Sequence, residues 1–265
     1  MAKGEKSSME VFNRVEQKYI LNEDEYKILF KKIESHLEKD YYYKSKICNL
    51  YFDNENDDLI VNSLEKPIFK EKVRLRSYNV PNINDTVYLE LKGKFNGIVF
   101  KRRLEIILSD FYKYLETGII EEKYNNQVMK EIDYTIKKFK LKPKIFIGYD
   151  RLSYYDKDNI NFRVTFDANL RSRVDELNLE LGDNGNLFNK KMYIMEVKSL
   201  SSIPLWFTRV LSEMKIYPNS FSKYGEIYKK QTLKNERKKK NKKIIINNEL
   251  EENLNLSYME GKLYV

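Results

Sequence analysis

Arginines, lysines and carboxylates recur at every second residue in short stretches of this chain, and that spacing is where its chemistry begins. In an extended strand, residues i, i+2 and i+4 share one face. Arg14, Glu16 and Lys18 share a face in this way. Arg74, Arg76 and Tyr78 lie opposite Val73 and Leu75, and Tyr88, Glu90 and Lys92 lie opposite Val87, Leu89 and Leu91. Lys101, Arg103 and Glu105 form a fourth set, and Tyr149, Arg151 and Ser153 a fifth. Arg163, Thr165 and Asp167 lie opposite Phe162, Val164 and Phe166, and Glu196 and Lys198 lie opposite Tyr193, Met195 and Val197.

For any one stretch, the bland reading is an amphipathic strand with its charged face in water. Two features of the whole set point past it. Arginine is enriched on this face although lysine dominates the rest of the chain, and its planar fork suits bidentate contact with phosphate. Amphipathic helices also need a surface to cover, and the apolar strand faces supply one. The charged faces then point inward, where unpaired cations are costly. A polyanion threaded among them would neutralise them. The carboxylates on the same face are hard oxygen ligands suited to Mg²⁺ or Mn²⁺. For Glu90 and Glu105 an ion pair with a neighbouring cation is the favoured reading. Glu196, in an E-x-K strand just before a helix, is favoured as a metal ligand.

The elements that must position these residues follow from periodicity. Strands are expected over 11–20, 46–53, 68–79, 86–93, 98–107, 144–155, 160–169 and 192–199. A helix over 22–39 has Asn22 as its N-cap and Tyr26, Leu29, Phe30, Ile33 and Leu37 on one stripe. Ser109 is expected to cap a short helix that ends before Gly118. Further helices are expected over 121–139, over 203–216 with Pro204 in the first turn, and from Ser222 onward. Segments 80–85 and 156–159 read as hairpin turns. Short connections favour antiparallel pairing, and eight strands of similar length are enough to close a barrel. The expected fold is therefore α+β: a closed antiparallel β-barrel with helices packed outside.

Composition narrows the rest. The chain has 265 residues and a net charge of +9. Residues 234–243 hold seven cations and one carboxylate, a net +6, leaving +3 for the other 255 residues. This run reads as a solvated tail, with at most a weak contact to a polyanion or membrane surface. It gives no sign of specific nucleic-acid recognition. The expected organisation is a flexible or appended N-terminus over 1–10, with Met9 as a plausible native start, then a catalytic domain over 11–232 and a basic tail over 233–265. One cysteine, Cys48, excludes a disulfide framework. One histidine, His36, excludes His-pair metal motifs and reads as a surface residue. No apolar run approaches the ~18 residues of a membrane helix. The N-terminus has no apolar signal region, so a cytoplasmic location is expected. No Gly-rich phosphate loop is present.

Eight motifs in order then carry a resemblance: Arg14-Val15-Glu16-Gln17-Lys18-Tyr19, Val73-Arg74-Leu75-Arg76, Leu89-Glu90-Leu91-Lys92, Phe100-Lys101-Arg102-Arg103, Tyr149-Asp150-Arg151, Arg163-Val164-Thr165-Phe166-Asp167, Met195-Glu196-Val197-Lys198 and Phe221-Ser222-Lys223-Tyr224-Gly225. Over roughly 11–230 the chain resembles the polyphosphate polymerase domain of the vacuolar transporter chaperone (VTC) family, in the CYTH-like triphosphate tunnel metalloenzyme superfamily. The resemblance implies a tunnel barrel and transfer of the ATP γ-phosphate to a growing inorganic polyphosphate chain. It implies that Lys18, Arg74, Arg76, Lys92, Lys101, Arg151, Arg163, Lys198 and Lys223 line the phosphate path. Arg103, Tyr149 and Ser222 would add substrate contacts, and Glu196 with Glu16 would hold Mn²⁺ or Mg²⁺. Hydrolytic tunnel enzymes carry E-x-E-x-K in the first strand. Here Arg14 replaces the first Glu, which favours the polymerase over a tripolyphosphatase or nucleoside triphosphatase. A non-catalytic polyphosphate-binding module is the other alternative. The SPX domain and membrane helices of eukaryotic members have no counterpart in this sequence.

Overall fold

Asn22 ends one element and starts the next. Strand β1 (Val15–Asn22) runs into helix α1 (Glu23–Ile33). The Glu25 N–H donates to Asn22 Oδ1 at 2.9 Å, and the Asn22 N–H donates to the Glu25 carboxylate at 2.8 Å. This reciprocal box satisfies two otherwise orphaned donors. The helix is shorter than expected: a single 3₁₀ turn (Glu34–His36) follows, and the chain then turns into β2 (Leu37–Asp53). Next come α2 (Asp58–Leu64), β3 (Phe69–Tyr78), β4 (Thr86–Phe95) and β5 (Ile98–Ile107). Helix α3 (Leu108–Thr117) ends at Gly118, whose φ of 68° is the left-handed stop that glycine favours. Ile107, not Ser109, stands at its N-cap. Asn126 caps α4 (Gln127–Phe139). The chain continues through β6 (Lys142–Asp156), β7 (Arg163–Arg173), β8 (Asn186–Leu187), β9 (Met192–Ser199) and α5 (Leu205–Glu213).

This computed structural model describes residues 15–65, 67–200 and 202–236. The expectations for 1–10, Arg14, Met9 and the basic run beyond 236 lie outside the described residues. The chain separates into two compact units, 1–223 and 224–265. In the second, the described part is helical to residue 236, with a Lys229–Glu226 ion pair at 2.9 Å one turn apart. Among the described residues, no helix is long and apolar enough to cross a membrane.

The closed barrel is not formed. The sheet runs β1-β9-β7-β6-β2-β3-β4-β5, antiparallel at every pairing, with β8 on β7. Its two ends, β1 and β5, share no ladder. Barrel closure requires the first and last strands to pair in a matched stagger. Here the Asn219 N–H, on the chain after α5, donates to the Lys18 carbonyl at 2.7 Å. That segment occupies β1 where a closing strand would have to bond. The result is an open antiparallel sheet in an α+β fold. It is nonetheless curled, because Lys92 on β4 lies within electrostatic reach of Glu16 and Lys18 on β1.

Two apolar clusters cover the outside of the sheet. Leu50, Val73, Leu75, Leu89 and Ile106 pack with Phe111 of α3 and Ile132 of α4. Tyr19, Leu21, Val164, Phe166 and Val197 pack with Leu29 of α1 and Phe207 of α5. Fully burying each such side chain contributes about 1.5–3 kcal/mol, which holds the helices on that face. Arg171 and Arg173 belong outside as well. The Arg173 guanidinium stacks on Phe146 at 3.8 Å and donates to the carbonyls of Glu176, Asn178, Gly182 and Asn184, knitting down the loop after β7.

Candidate functional site

Because helices cover the apolar face, the alternate residues of the strands meet on the other one. Three buried carboxylates organise it. Glu90 on β4 is 1% exposed. It accepts from Arg74 Nε at 2.7 Å, from Lys101 Nζ at 2.7 Å and from Arg103 at 2.6 Å. The register fixes this, since Arg74 and Arg103 lie directly opposite Glu90 on the flanking strands. Burial pushes the Glu90 carboxyl up, but Arg74, Arg76 and Lys101 outweigh it and hold the group well below the usual range.

Asp167 on β7 is also 1% exposed. Both its oxygens accept from Arg151, at 2.6 and 2.8 Å, and one accepts from Lys223 Nζ at 2.6 Å. Burial opposes ionisation of all three groups, yet their mutual attraction prevails: Asp167 shifts down, and Arg151 and Lys223 shift up. Tyr149 sits among them. Lys223 lies 4.4 Å from its ring centroid and Arg151 5.4 Å. Its hydroxyl accepts from Arg76 at 3.3 Å.

Glu196 on β9 accepts from Lys198 at 2.9 Å and lies 3.8 Å from Arg151. Burial raises its carboxyl, but Lys198, a hydrogen bond with Glu16 and the charge of Lys18 bring it well below the usual range. Glu16 and Glu196 thus face one another, with Lys18 3.8 Å from Glu16. Two carboxylates in mutual contact are a hard-oxygen donor pair of the kind that holds Mg²⁺ or Mn²⁺ together with substrate phosphates. Among the described residues, no group of three or more His, Cys, Asp or Glu side chains is poised for a metal.

The face therefore gathers Lys18, Arg74, Arg76, Lys101, Arg103, Tyr149, Arg151, Glu196, Lys198 and Lys223, with Lys92 near both ends of the sheet and Ser222 on the segment that crosses to Lys72. Arg163 is drawn away. It is mostly exposed and lies 3.6 Å from Asp40. Glu90 forms the expected ion pairs, whereas Glu105 makes none within 4 Å among the described residues, because Arg103 turns to Glu90. His36 is not a plain surface residue: its ring stacks on Trp206 at 4.1 Å.

Three members of the face escaped the sequence reading. Lys72 precedes Arg74 at the same parity, and its Nζ donates to Ser222 Oγ at 3.0 Å. Burial, with Lys70, Lys18 and Lys92 nearby, lowers its amine to about 8. Tyr51 accepts from Arg74 at 3.2 Å. Burial raises the Tyr51 phenol, but Arg74 and Arg76 outweigh it and bring it down to about 8. Asn49 accepts from Arg76 Nε at 2.9 Å. Tyr51 and Asn49 share one face of β2, and that alternation was the available signal. Among the described residues, neither Lys72 nor Arg76 has a carboxylate within ion-pair distance.

By its architecture this is an α+β protein whose curled antiparallel sheet carries cations and buried carboxylates on its concave side. Residues 13–232 match the VTC domain, so the chain belongs to the VTC domain family, as the motifs anticipate. Among solved structures, a candidate adenylate cyclase from Bacillus halodurans shares the fold at 13% identity, with a TM-score of 0.51 over 79% of this chain and 93% of that one. A candidate adenylyl cyclase from Hippeastrum, described as having a dominant triphosphatase activity, aligns at 14% identity and a TM-score of 0.46, over 80% of this chain and 93% of that one. No curated protein sequence matches.

Proposed function

We propose that the protein is a polyphosphate polymerase, transferring the γ-phosphate of ATP to the end of an inorganic polyphosphate chain bound on the concave face. The observation that carries this reading is the convergence of cations from β1, β3, β4, β5, β6 and β9 on one face of a VTC domain. Phosphoryl transfer is mostly positioning and charge stabilisation. A terminal oxygen of the polyphosphate chain attacks the γ-phosphorus, the bond to the β–γ bridging oxygen breaks, and ADP leaves with that electron pair. The attacking oxygen is already ionised at neutral pH, so no general base is needed. Arg76 and Arg74 suit the role of binding non-bridging oxygens, and Lys198 and Lys18 that of neutralising charge beside Glu196. Glu16 and Glu196 would hold Mn²⁺ or Mg²⁺, which when bound would offset the phosphates' charge. Glu16 is the one carboxylate left in the first-strand motif, which favours transfer over water activation.

Incubating the pure protein with ATP and Mn²⁺ is expected to yield long phosphate chains and ADP, resolved by gel and nucleotide analysis. Orthophosphate as the sole phosphate product would identify a triphosphatase instead. Tight polyphosphate binding without nucleotide turnover would identify a binding module.

The lowered Lys72 amine and Tyr51 phenol set a pH dependence. A bound phosphate favours the charged amine, so above pH 8 binding must take up a proton and the contribution of Lys72 falls. Ionised Tyr51 would add negative charge beside Arg74, which acts in the same direction. Between pH 7 and 9, tripolyphosphate affinity is expected to fall about tenfold more in the wild type than in Lys72→Arg, since arginine stays charged throughout. Calorimetric titration of both proteins across this range checks it. Parallel curves would remove Lys72 from the site.

A further inference from the structure

The apolar face of β3, β4 and β5 extends past its cover. Val73, Leu75, Leu89 and Leu91 are buried with residues of α3 and α4. Beyond Gly93 on the same face, Phe69 lies opposite Phe95, and Phe95 opposite Ile98. The Phe69 and Phe95 rings meet edge to face, with centroids 6.4 Å apart. The Asn96 N–H donates to the Ile68 carbonyl at 2.9 Å, which ties Ile68 to the same tip. Val99 follows Ile98 on β5. These five side chains, Ile68, Phe69, Phe95, Ile98 and Val99, are between 41% and 72% exposed. Single exposed apolar residues are ordinary, but a contiguous cluster marks a contact surface.

The tip is convex and tightly turned. Asn96 and Gly97 have φ of 43° and 87°, the left-handed pair that a two-residue hairpin turn favours. A Cβ at Gly97 would meet no atom within 4 Å, so the turn stands clear of the described residues around it. Between Glu90 and Glu105 the two strands carry Lys92, Lys94, Lys101, Arg102 and Arg103 and no acid. A second copy docked tip to tip would bring these cations together, which is costly. A nucleic acid would satisfy the cations and leave the apolar cluster in water. An anionic bilayer takes both, with the apolar side chains at the acyl boundary and the cations among lipid phosphates.

We infer that the β4–β5 turn, together with Ile68 and Phe69, is a docking tip that inserts Phe95 and Ile98 into the surface of an anionic lipid bilayer. This inference goes beyond the proposed function and does not depend on it. The contact lies on the outer, apolar side of the sheet, away from the buried carboxylates, and needs no helix that spans the membrane.

The test is flotation of the full chain with vesicles of phosphatidylcholine and phosphatidylserine, against vesicles of phosphatidylcholine alone. The protein is expected to float with the anionic vesicles and much less with the neutral ones. The double variant Phe95→Asn, Ile98→Asn is expected to bind the anionic vesicles about tenfold or more weakly, with an unchanged thermal melt because both side chains are exposed. The basic run has its own attraction for anionic lipid, so Lys238→Gln, Lys239→Gln, Lys240→Gln serves as the comparison and should lose less. In Ile98→Trp, anionic vesicles should shift the added tryptophan's emission to the blue, and brominated lipid should quench it. Binding unchanged in the double variant, or emission that brominated lipid leaves unquenched, would overturn the docking tip. So would self-association that the double variant relieves without any binding to vesicles, since the cluster would then join two copies of this chain.

Discussion

Arg76→Ala is expected to abolish most phosphoryl transfer while leaving the protein folded. Arg76 is 8% exposed and held by two neutral acceptors, Asn49 Oδ1 and the Tyr149 hydroxyl. Among the described residues it makes no ion pair, although its charge helps to hold Glu90 ionised, so its guanidinium is open to an anionic substrate. Arg74, by contrast, shares Glu90 with Lys101 and Arg103. Removing a preorganised donor from developing charge typically costs about 10²–10³ in rate. The folding cost is smaller: Asn49 Oδ1 loses its donor, about 1–3 kcal/mol for a buried acceptor. Asn49 still donates to the Ile147 carbonyl at 3.0 Å, which keeps it in place. Lysine at position 76 would restore the charge but not the fork that bonds Asn49 and Tyr149 together, so its rescue should be partial. The measurement is ATP-dependent chain synthesis alongside a thermal melt. Full activity in Arg76→Ala would mean that the concave face is not where the phosphates react.

Much of this face was legible because strand parity survives folding. Arg74 and Arg76 against Val73 and Leu75 is a local pattern, and the helices that cover Val73 and Leu75 show apolar stripes of their own. Asn22 was readable for the same reason, since a capping box needs only four consecutive residues. What parity lacks is the partner. Nothing local distinguishes Arg76, which is bonded to the neutral Asn49 and Tyr149, from Arg151, which is ion-paired with Asp167 across the strand pair. The first half of β2 was invisible: Glu38-Lys39-Asp40-Tyr41-Tyr42-Tyr43 has no alternating apolar face, and a bulge between Lys39 and Lys44 breaks its register. Closure failed as an expectation for a similar reason. Eight amphipathic strands fit both a barrel and an open curled sheet. The choice depends on whether β1 and β5 pair, a contact between the two ends of the sheet that no periodicity encodes; in the structure the Asn219 N–H reaches the Lys18 carbonyl instead. His36 looked like a surface residue because its partner, Trp206, comes from a distant helix.

Asp167→Ala should cost the most stability of any single change on the concave face. The carboxylate neutralises Arg151 and Lys223, whose side chains are 15% and 12% exposed. Removing one member of a buried charge cluster leaves the others uncompensated, which typically costs about 3–5 kcal/mol. In a domain of this size that is a fall in melting temperature of roughly 10 °C. Activity would fall too, since Tyr149 is held between the two released cations. Asn at this position keeps the shape and one acceptor, so its loss should be intermediate. The pH dependence separates a charge effect from a packing effect. The Asp167 carboxyl lies below its ordinary value of 3.8 in the folded protein. Its stabilisation is therefore fully present above about pH 5 and is lost as pH falls through 3.8 toward the folded value. The gap between wild type and Asp167→Asn should accordingly narrow on acidification from pH 5 to pH 3. If the gap stays constant over that range, Asp167 acts by packing and hydrogen bonding alone, and Arg151 and Lys223 do not depend on its charge.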